Sequence, residues 1–227
     1  MKRSMFTLFL CLTGIILNII LSRLNLRIAL PLYMDTIFTV SVTFVGGLFW
    51  GMLTGFLTNI IGHSIHFWGW EGYLFALCNI ATAVITYLFI QFFPNELKLI
   101  NQPVHQSLSS VFLNKSFRNS YLLKLIIERV VVLILLAFSL CFVMSILGGL
   151  ISAFIYYLRY CPDIKQINNP ASGLISFMMF SENMPIIIKE ILSRIPINII
   201  DRLIAAFTGY GIAFIASKLF KKFKVKK

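Results

Sequence analysis

The sequence predicts an all-α integral membrane protein, built as a bundle of six transmembrane helices with both termini in the cytoplasm. Three observations carry this prediction. First, 59% of the 227 residues are hydrophobic, only 12% are charged, and the mean hydropathy is +0.88, whereas soluble domains are about 25% charged. The second observation is a series of apolar stretches, and the third is the distribution of basic residues between them.

Six apolar stretches are long enough, or nearly long enough, to cross a hydrocarbon layer that requires roughly 20 helical residues. The second and third are short and are separated only by glycines, whereas the fifth has room for a full span and a helical extension. Helices are expected because an open strand edge leaves backbone groups unpaired in lipid. The stretches are about Met5 to Ser22, Pro31 to Gly46, Leu48 to Gly62, Tyr73 to Phe93, Leu122 to Leu158 and Ile195 to Phe220.

Basic residues predict the orientation, because they favour the cytoplasmic side of a membrane. With six spans both ends lie on one side, which then holds the basic connection at about residues 94–121 and the lysine-rich tail at 218–227. The opposite side holds a long outer loop at about 159–194. Residues 1–227 are thus expected to form one transmembrane domain in the cell membrane. The net charge of +12 follows largely from this asymmetry, and the tail suits anionic lipid headgroups rather than nucleic acid.

The N-terminal segment has the basic start and apolar run of a secretory signal. No small-x-small cleavage site follows it, and Leu10 precedes Cys11 where a lipoprotein cleavage site requires a small residue. We interpret the segment as a retained first helix, with removal as a signal as the alternative.

Polar residues interrupt the apolar stretches at one depth, in the outer half of the membrane. An ionisable group in hydrocarbon costs roughly 2.5–3.5 kcal/mol, so it normally faces a partner or a wet cavity. Asp35 is expected about one turn into the second helix. A carboxylate paired with Arg202 would join two helices and have a purely structural role. This alternative accounts for only two residues of the polar layer. A polar cavity open to the outside accounts for the whole layer, which comprises Asp35, Asn59, His63, Asn79, Asn198, Asp201 and Arg202.

The second outer connection, GHSIHFWGWEGY, concentrates aromatic and titratable side chains at the mouth of this cavity. Trp68 and Trp70 are suited to stack on a planar ring, while His63, His66 and Glu71 supply donors and acceptors around its edge. An interfacial aromatic belt is the alternative for the tryptophans. A metal site is disfavoured because the two histidines have no further ligand besides Glu71, and the cysteines are scattered.

Motifs for catalysis do not occur in the sequence, which has no Gly-x-Ser-x-Gly, no phosphate-binding glycine loop and no His-Glu-x-x-His. We therefore expect neither enzymatic activity nor a cofactor. Small residues predict close helix packing, within the bundle or against another membrane protein. They form the GMLTG step, Gly51 to Gly55, and a ladder of Ala205, Gly209, Ala213 and Ser217.

The succession of these segments resembles the substrate-binding S components of energy-coupling factor transporters. The resemblance covers most of the spans but neither the connection from Pro94 to Ser120 nor the loop after Arg159. It is carried by LPLYMDTIFTVSVTFVGGLFWGMLTGFLTNIIG, ALCNIATAVI and NIIDRLIAAFTGYGIAFI.

The resemblance implies a six-helix bundle that binds a small nutrient, such as a vitamin or related heterocycle, through its outer loops. These loops correspond to the connections around Arg23, from His63 to Tyr73, and from Arg159 to Arg194. It also implies docking on a transmembrane coupling subunit served by two ABC-type ATPases, and inward release by toppling in the membrane.

Two features depart from the family pattern. Many members carry small alanines four residues apart in the first helix for docking, whereas here Gly14 is followed four residues later by Asn18. Members specific for cobalt or nickel begin with histidine after the initiator methionine, and the start Met-Lys-Arg argues against a metal substrate.

Three other classes of protein stay open at this point. A ligand-sensing membrane receptor module is disfavoured, because the chain ends six residues after Lys221 and we expect no output domain. A solitary secondary transporter would draw on an ion gradient instead of a partner ATPase. A membrane scaffold without a ligand would make the outer polar layer purely structural.

Overall fold

The computed structural model describes residues 3–28, 32–65, 70–97, 99, 115–160 and 184–225. Across these ranges the chain forms six α-helices and one short 3-10 helix, with no strand, so the all-α prediction is confirmed. The helices are α1 (Arg3–Ile28), α2 (Ile37–Gly46), α3 (Leu48–Ser64), α4 (Ala76–Phe92), α5 (Lys115–Tyr160) and α6 (Ile186–Val225), and the 3-10 helix, Trp70–Phe75, leads directly into α4.

Four helical segments are long and apolar enough to cross a membrane, which supports the prediction of a membrane-embedded protein. The apolar helix α2 has only 10 residues, so it is about 15 Å long, half of a hydrocarbon core of about 30 Å. The four long segments are Ser4–Asn25, Trp70–Phe92, Leu123–Leu158 and Ile186–Lys221.

A glycine separates the two shortest α-helices. Gly47 has a φ of +85°, and its N–H donates to the Thr43 carbonyl at the end of α2. A residue with a side chain rarely adopts this backbone conformation, so Gly47 lets α3 begin at the next residue. The helices α2 and α3 consequently form a tight helical hairpin that packs against α1 and α4.

The two ends of the bundle can be told apart by contacts between distant helices. Phe6 in α1 and Phe220 in α6 have ring centroids 4.8 Å apart, and we name this end of the bundle the tail end. At the opposite end, Arg23 Nη2 donates to the carbonyl of Gly62 at 2.8 Å, which joins the last turns of α1 and α3. We name this second end the site end.

The main apolar core lies between α2, α4, α5 and α6. Leu136 and Leu140 of α5 are completely buried there against Val40 of α2 and Ala206 of α6. The outward face of α1, by contrast, exposes large apolar side chains such as Phe9, which is 62% accessible. Such an inside-out pattern is expected where lipid replaces water as the surrounding solvent.

Small residues allow close helix approaches inside the bundle. A Cβ atom on Gly55 would lie 2.7 Å from the Asn79 carbonyl oxygen of α4, and one on Gly209 would lie 2.8 Å from the Ile37 carbonyl oxygen of α2. A Cβ atom on Gly51 would lie 2.0 Å from Thr43 Oγ1. The small-residue faces predicted from sequence therefore pack internally.

Helix α6 begins at Ile186, not at about Ile195 as predicted. The apolar stretch does not mark the start of α6, because Glu190 and Arg194 are charged yet buried on the inner face of the helix. Pro196 lies inside the helix, although proline is most common in a first turn. The other helices also extend beyond the apolar stretches: α1 continues to Ile28, α5 begins at Lys115, and α6 continues to Val225.

Asn18 joins the first three helices through a completely buried side chain. Its Nδ2 donates to Thr39 Oγ1 at 3.2 Å and to Thr58 Oγ1 at 3.4 Å. Its Oδ1 accepts the backbone N–H of Phe38, in the first turn of α2, at 3.0 Å. The Asn18 amide thus pairs a backbone N–H of the first turn of α2, which has no partner within its own helix, and connects α1, α2 and α3.

Replacing Asn18 with leucine is expected to lower the free energy of unfolding by about 2 kcal/mol, since interhelical hydrogen bonds in membranes average about 0.6 kcal/mol each. Thermal unfolding of the detergent-solubilised protein measures this loss. Thr13→Val is the matched control, because among the described residues the Thr13 hydroxyl bonds only to carbonyls of its own helix. Equal stability of the two variants would show that the three bonds of Asn18 do not hold the helices.

Candidate functional site

Residues 32–36 lie at the site end and are not helical. We name them the entering segment, because they lead into α2. The backbone N–H groups of Tyr33 and Met34 both donate to Asp201 Oδ1, at 3.1 and 2.8 Å. Met34 has a φ of +50°, a left-handed conformation that is uncommon for a residue with a side chain. Asp35 therefore lies just before α2, and not one turn into it as predicted, because its preceding backbone bonds to α6 instead of forming helix.

Asp201 and Arg202 of α6 form a buried ion pair. Their side chains are 0% and 4% accessible, respectively, and Arg202 Nη2 lies 3.1 Å from Asp201 Oδ2. Arg202 Nη1 also donates to the hydroxyl of Thr36. The pair thus fastens α6 to the start of α2, and the structural alternative of a carboxylate on Arg202 is observed for Asp201.

Asp35 has a different environment. Its Oδ2 accepts a hydrogen bond from Asn79 Nδ2 of α4 at 3.0 Å. Its Oδ1 is buried and has no hydrogen-bond partner within the part of the chain that the structure describes. The carboxylate of Asp201 and the imidazole of His63 lie within electrostatic range of it. Asp35 therefore presents one unused acceptor at the site end.

Arg194 is a second connecting residue, and it was not among the site residues predicted from sequence. Its Nη1 donates to the Tyr33 hydroxyl at 3.0 Å, and its Nη2 donates to the Ser152 hydroxyl of α5. The guanidinium lies 3.7 Å from Glu190 and 5.7 Å from the ring centroid of Phe75. Arg194 thus ties α5, α6, the entering segment and the 3-10 helix together.

Polar residues at intervals of four in the sequence could have predicted Arg194 as a site residue. Glu190, Arg194, Asn198 and Arg202 recur every fourth residue and share one face of α6. All four are buried. A last helix predicted to start at Ile195 leaves Glu190 and Arg194 in a loop, so the four-residue pattern does not show in that prediction.

Two predicted asparagines also lie in the bundle interior. Asn198 Nδ2 donates to Ser145 Oγ of α5 at 2.9 Å. Asn59 of α3 is 7% accessible, and its Nδ2 has no hydrogen-bond partner among the described residues. It lies one turn from Gly55, the glycine that contacts the Asn79 backbone.

The last turn of α3 and the 3-10 helix meet at the same end. The His63 ring packs on Gly72, where a Cβ atom would lie 2.6 Å from His63 Nδ1, and its centroid is 6.1 Å from that of Tyr73. Glu71 is buried, whereas Trp70 is 60% accessible. An interfacial aromatic belt and stacking on a planar ligand both remain predictions for Trp70. His66 and Trp68 lie outside the described residues.

The charged side chains surround one small region of the bundle. Cys78 of α4, a partly exposed free thiol, lies within electrostatic range of Asp35, Arg194 and Arg202. Tyr33 lies within range of the same three charges and of Asp201. We name as the polar cluster the residues Tyr33, Asp35, Thr36, Asn79, Glu190, Arg194, Asn198, Asp201 and Arg202.

Hydrogen-bonding groups of both charges make up the polar cluster. The described residues contain no group of three or more His, Cys, Asp or Glu side chains placed to hold a metal ion. Donors and acceptors of both charges instead converge from α4, α5, α6 and the entering segment. Such convergent polar groups in an apolar surrounding are typical of small-molecule sites.

Comparison of the chain with protein-family models, curated proteins and solved structures gives no match. The class supported by the fold and the site is a membrane-embedded helical protein with a polar cluster at one end of its bundle.

Proposed function

We propose that this protein is the high-affinity binding subunit of a nutrient uptake system, an S component of an energy-coupling factor transporter. Its substrate is a small molecule of the vitamin or heterocycle class, bound in the polar cluster. Partner subunits supply the energy: a transmembrane coupling subunit and two ABC-type ATPases. The resemblance of the sequence to this family motivates the assignment of the partners.

The observation that carries the proposal is the unused acceptor of Asp35. A purely structural staple is complete without it, because Asp201 already pairs with Arg202 and binds the entering segment. A buried carboxylate oxygen without a partner lowers the stability of the fold. A purely structural role does not explain such a residue. A ligand that donates to Asp35 Oδ1 explains why the chain keeps it.

The location of the cluster agrees with uptake from outside. With the tail end in the cytoplasm, the lysine-rich segment at 218–227 meets anionic headgroups. The site end, with the polar cluster, then faces the outer leaflet. The six helices form the transmembrane bundle in this arrangement, and both termini are cytoplasmic.

Replacing Asp35 with alanine is expected to reduce ligand retention at least tenfold, since a hydrogen bond to a charged group contributes about 1.5–3 kcal/mol. The measurement is mass spectrometry of small molecules extracted from the purified wild-type and variant proteins. Gel filtration should show the same monodisperse protein in both cases. Glu128→Ala is the matched control, because this carboxylate is 43% accessible on α5. Equal retention in Asp35→Ala and wild type would remove Asp35 from the site.

Purification of the tagged protein from its native membranes in mild detergent tests the assignment of the partners. Recovery of a membrane subunit together with ABC-type ATPases supports the S-component proposal. A folded protein that repeatedly copurifies with neither contradicts it, and favours a solitary secondary transporter or a receptor module. A wild-type protein that also carries no small molecule would count against a high-affinity site of any kind.

A further inference from the structure

The charges of the polar cluster do not balance. It contains three carboxylates, Asp35, Glu190 and Asp201, but only two guanidinium groups, Arg194 and Arg202. Glu190 lies 3.7 Å from Arg194, and Asp201 lies 3.1 Å from Arg202. Pairing these neighbours leaves the carboxylate of Asp35 as the uncompensated charge.

Neither arginine offers a terminal nitrogen to Asp35. Arg202 uses Nη1 for Thr36 and Nη2 for Asp201. Arg194 uses its two terminal nitrogens for hydroxyl groups, on the entering segment and on α5. Within the described residues, the only group that bonds to the Asp35 side chain is the neutral amide of Asn79.

A neutral ligand would leave the charge of Asp35 uncompensated and would also cover the part of the residue that is still exposed. Asp35 is between buried and exposed, so its surroundings change when a ligand covers it. Covering an unpaired charge with an uncharged molecule carries a desolvation cost, and an anion adds repulsion. A cation with an N–H group neutralises the charge and forms a charge-assisted hydrogen bond.

We propose that the substrate is an organic cation whose protonated nitrogen donates to Asp35 Oδ1. This inference rests on the proposed binding function and narrows its substrate to nitrogen bases that are protonated at neutral pH. Asn79 holds the carboxylate in place from α4, while Asp201 and Arg202 position the segment that carries it. Asp35 is thus the charge-selecting residue, and the two arginine pairs form its support.

A pair of planar probes that differ by one charge tests the inference. Benzamidinium is a cation with N–H donors, and benzamide is its neutral near-isostere. We expect benzamidinium at millimolar concentration to raise the unfolding midpoint of the wild-type protein by a few degrees, as a ligand at about ten times its Kd does. Benzamide should leave the midpoint unchanged.

Variants at one position link the effect to the carboxylate. Asp35→Asn keeps the shape and loses the charge, and should abolish the benzamidinium shift. Asp35→Glu keeps the charge and should retain part of the shift. Equal shifts from both probes, no shift from either probe, or a benzamidinium shift that persists in Asp35→Asn would overturn the inference.

The partner purification separates failure of this inference from failure of the proposed function. Recovered ATPases together with no preference for the cationic probe would leave the binding subunit standing and exclude a cationic substrate. Absence of the ATPases, with selective binding of benzamidinium by the wild-type protein alone, would support the cation site and overturn the proposed partners.

Discussion

Replacing Asp201 with alanine is expected to lower the free energy of unfolding by about 3–5 kcal/mol, the cost of removing one partner of a buried ion pair. Arg202 would keep its charge with only 4% of its surface accessible. The N–H groups of Tyr33 and Met34 would lose their shared acceptor at the same time. The backbone of the entering segment would then lose its attachment to α6, so a lower yield of folded protein is the expected phenotype.

Thermal unfolding and the yield of monodisperse protein in detergent measure this effect. The double variant Asp201→Ala with Arg202→Met should recover part of the loss, because it removes the uncompensated charge as well. Glu128→Ala is the control: its pair with Lys124, 3.9 Å apart on the exposed surface of α5, should contribute at most about 1 kcal/mol. Wild-type stability of Asp201→Ala would show that the pair does not hold the site end together.

Replacing Gly209 with alanine is expected to cost about 2–3 kcal/mol, in the upper part of the range of about 1–3 kcal/mol for adding a carbon to a fully packed interior. The new Cβ atom would lie 2.8 Å from the Ile37 carbonyl oxygen and 2.9 Å from Val40 Cβ. Backbone atoms cannot rotate away as a side chain can, so α2 and α6 would have to separate. That movement would also shift the entering segment, which is attached to both helices.

Gly211 supplies a matched control two residues further along the same helix. A Cβ atom there meets nothing within 4 Å, so Gly211→Ala should leave stability unchanged or raise it by up to about 1 kcal/mol through helix propensity. Comparison of the unfolding midpoints of the two alanine variants isolates the contact with α2. Equal midpoints would contradict close packing at Gly209.

The candidate site could be predicted from the sequence in part. Asp35, Asn79, Asp201 and Arg202 stand out because polar groups are costly inside apolar stretches, and the structure brings these four together. Arg194 was missed because apolarity alone located the start of the last helix. The periodicity of its buried polar face extends about two turns further towards the N-terminus, and only that periodicity reveals where the helix begins.

The location of Asp35 shows another limit of sequence reasoning. Its apolar neighbours predicted a position inside a helix, whereas two backbone bonds to Asp201 hold the preceding residues in non-helical chain. Asp201 is 167 residues from Met34 in sequence. No local pattern contains that contact, because it depends on how α6 packs against the start of α2.

The sequence by itself determined that this chain is helical and membrane-embedded, since lipid offers no hydrogen bonds to the backbone and the apolar content is far above that of a soluble domain. It also determined which polar residues interrupt the apolar stretches. Only the tertiary structure decided how those residues pair. Asp201 forms an ion pair with Arg202, whereas Asp35 has no arginine partner among the described residues. Such pairing depends on distances of a few ångströms between helices, which composition and spacing do not specify.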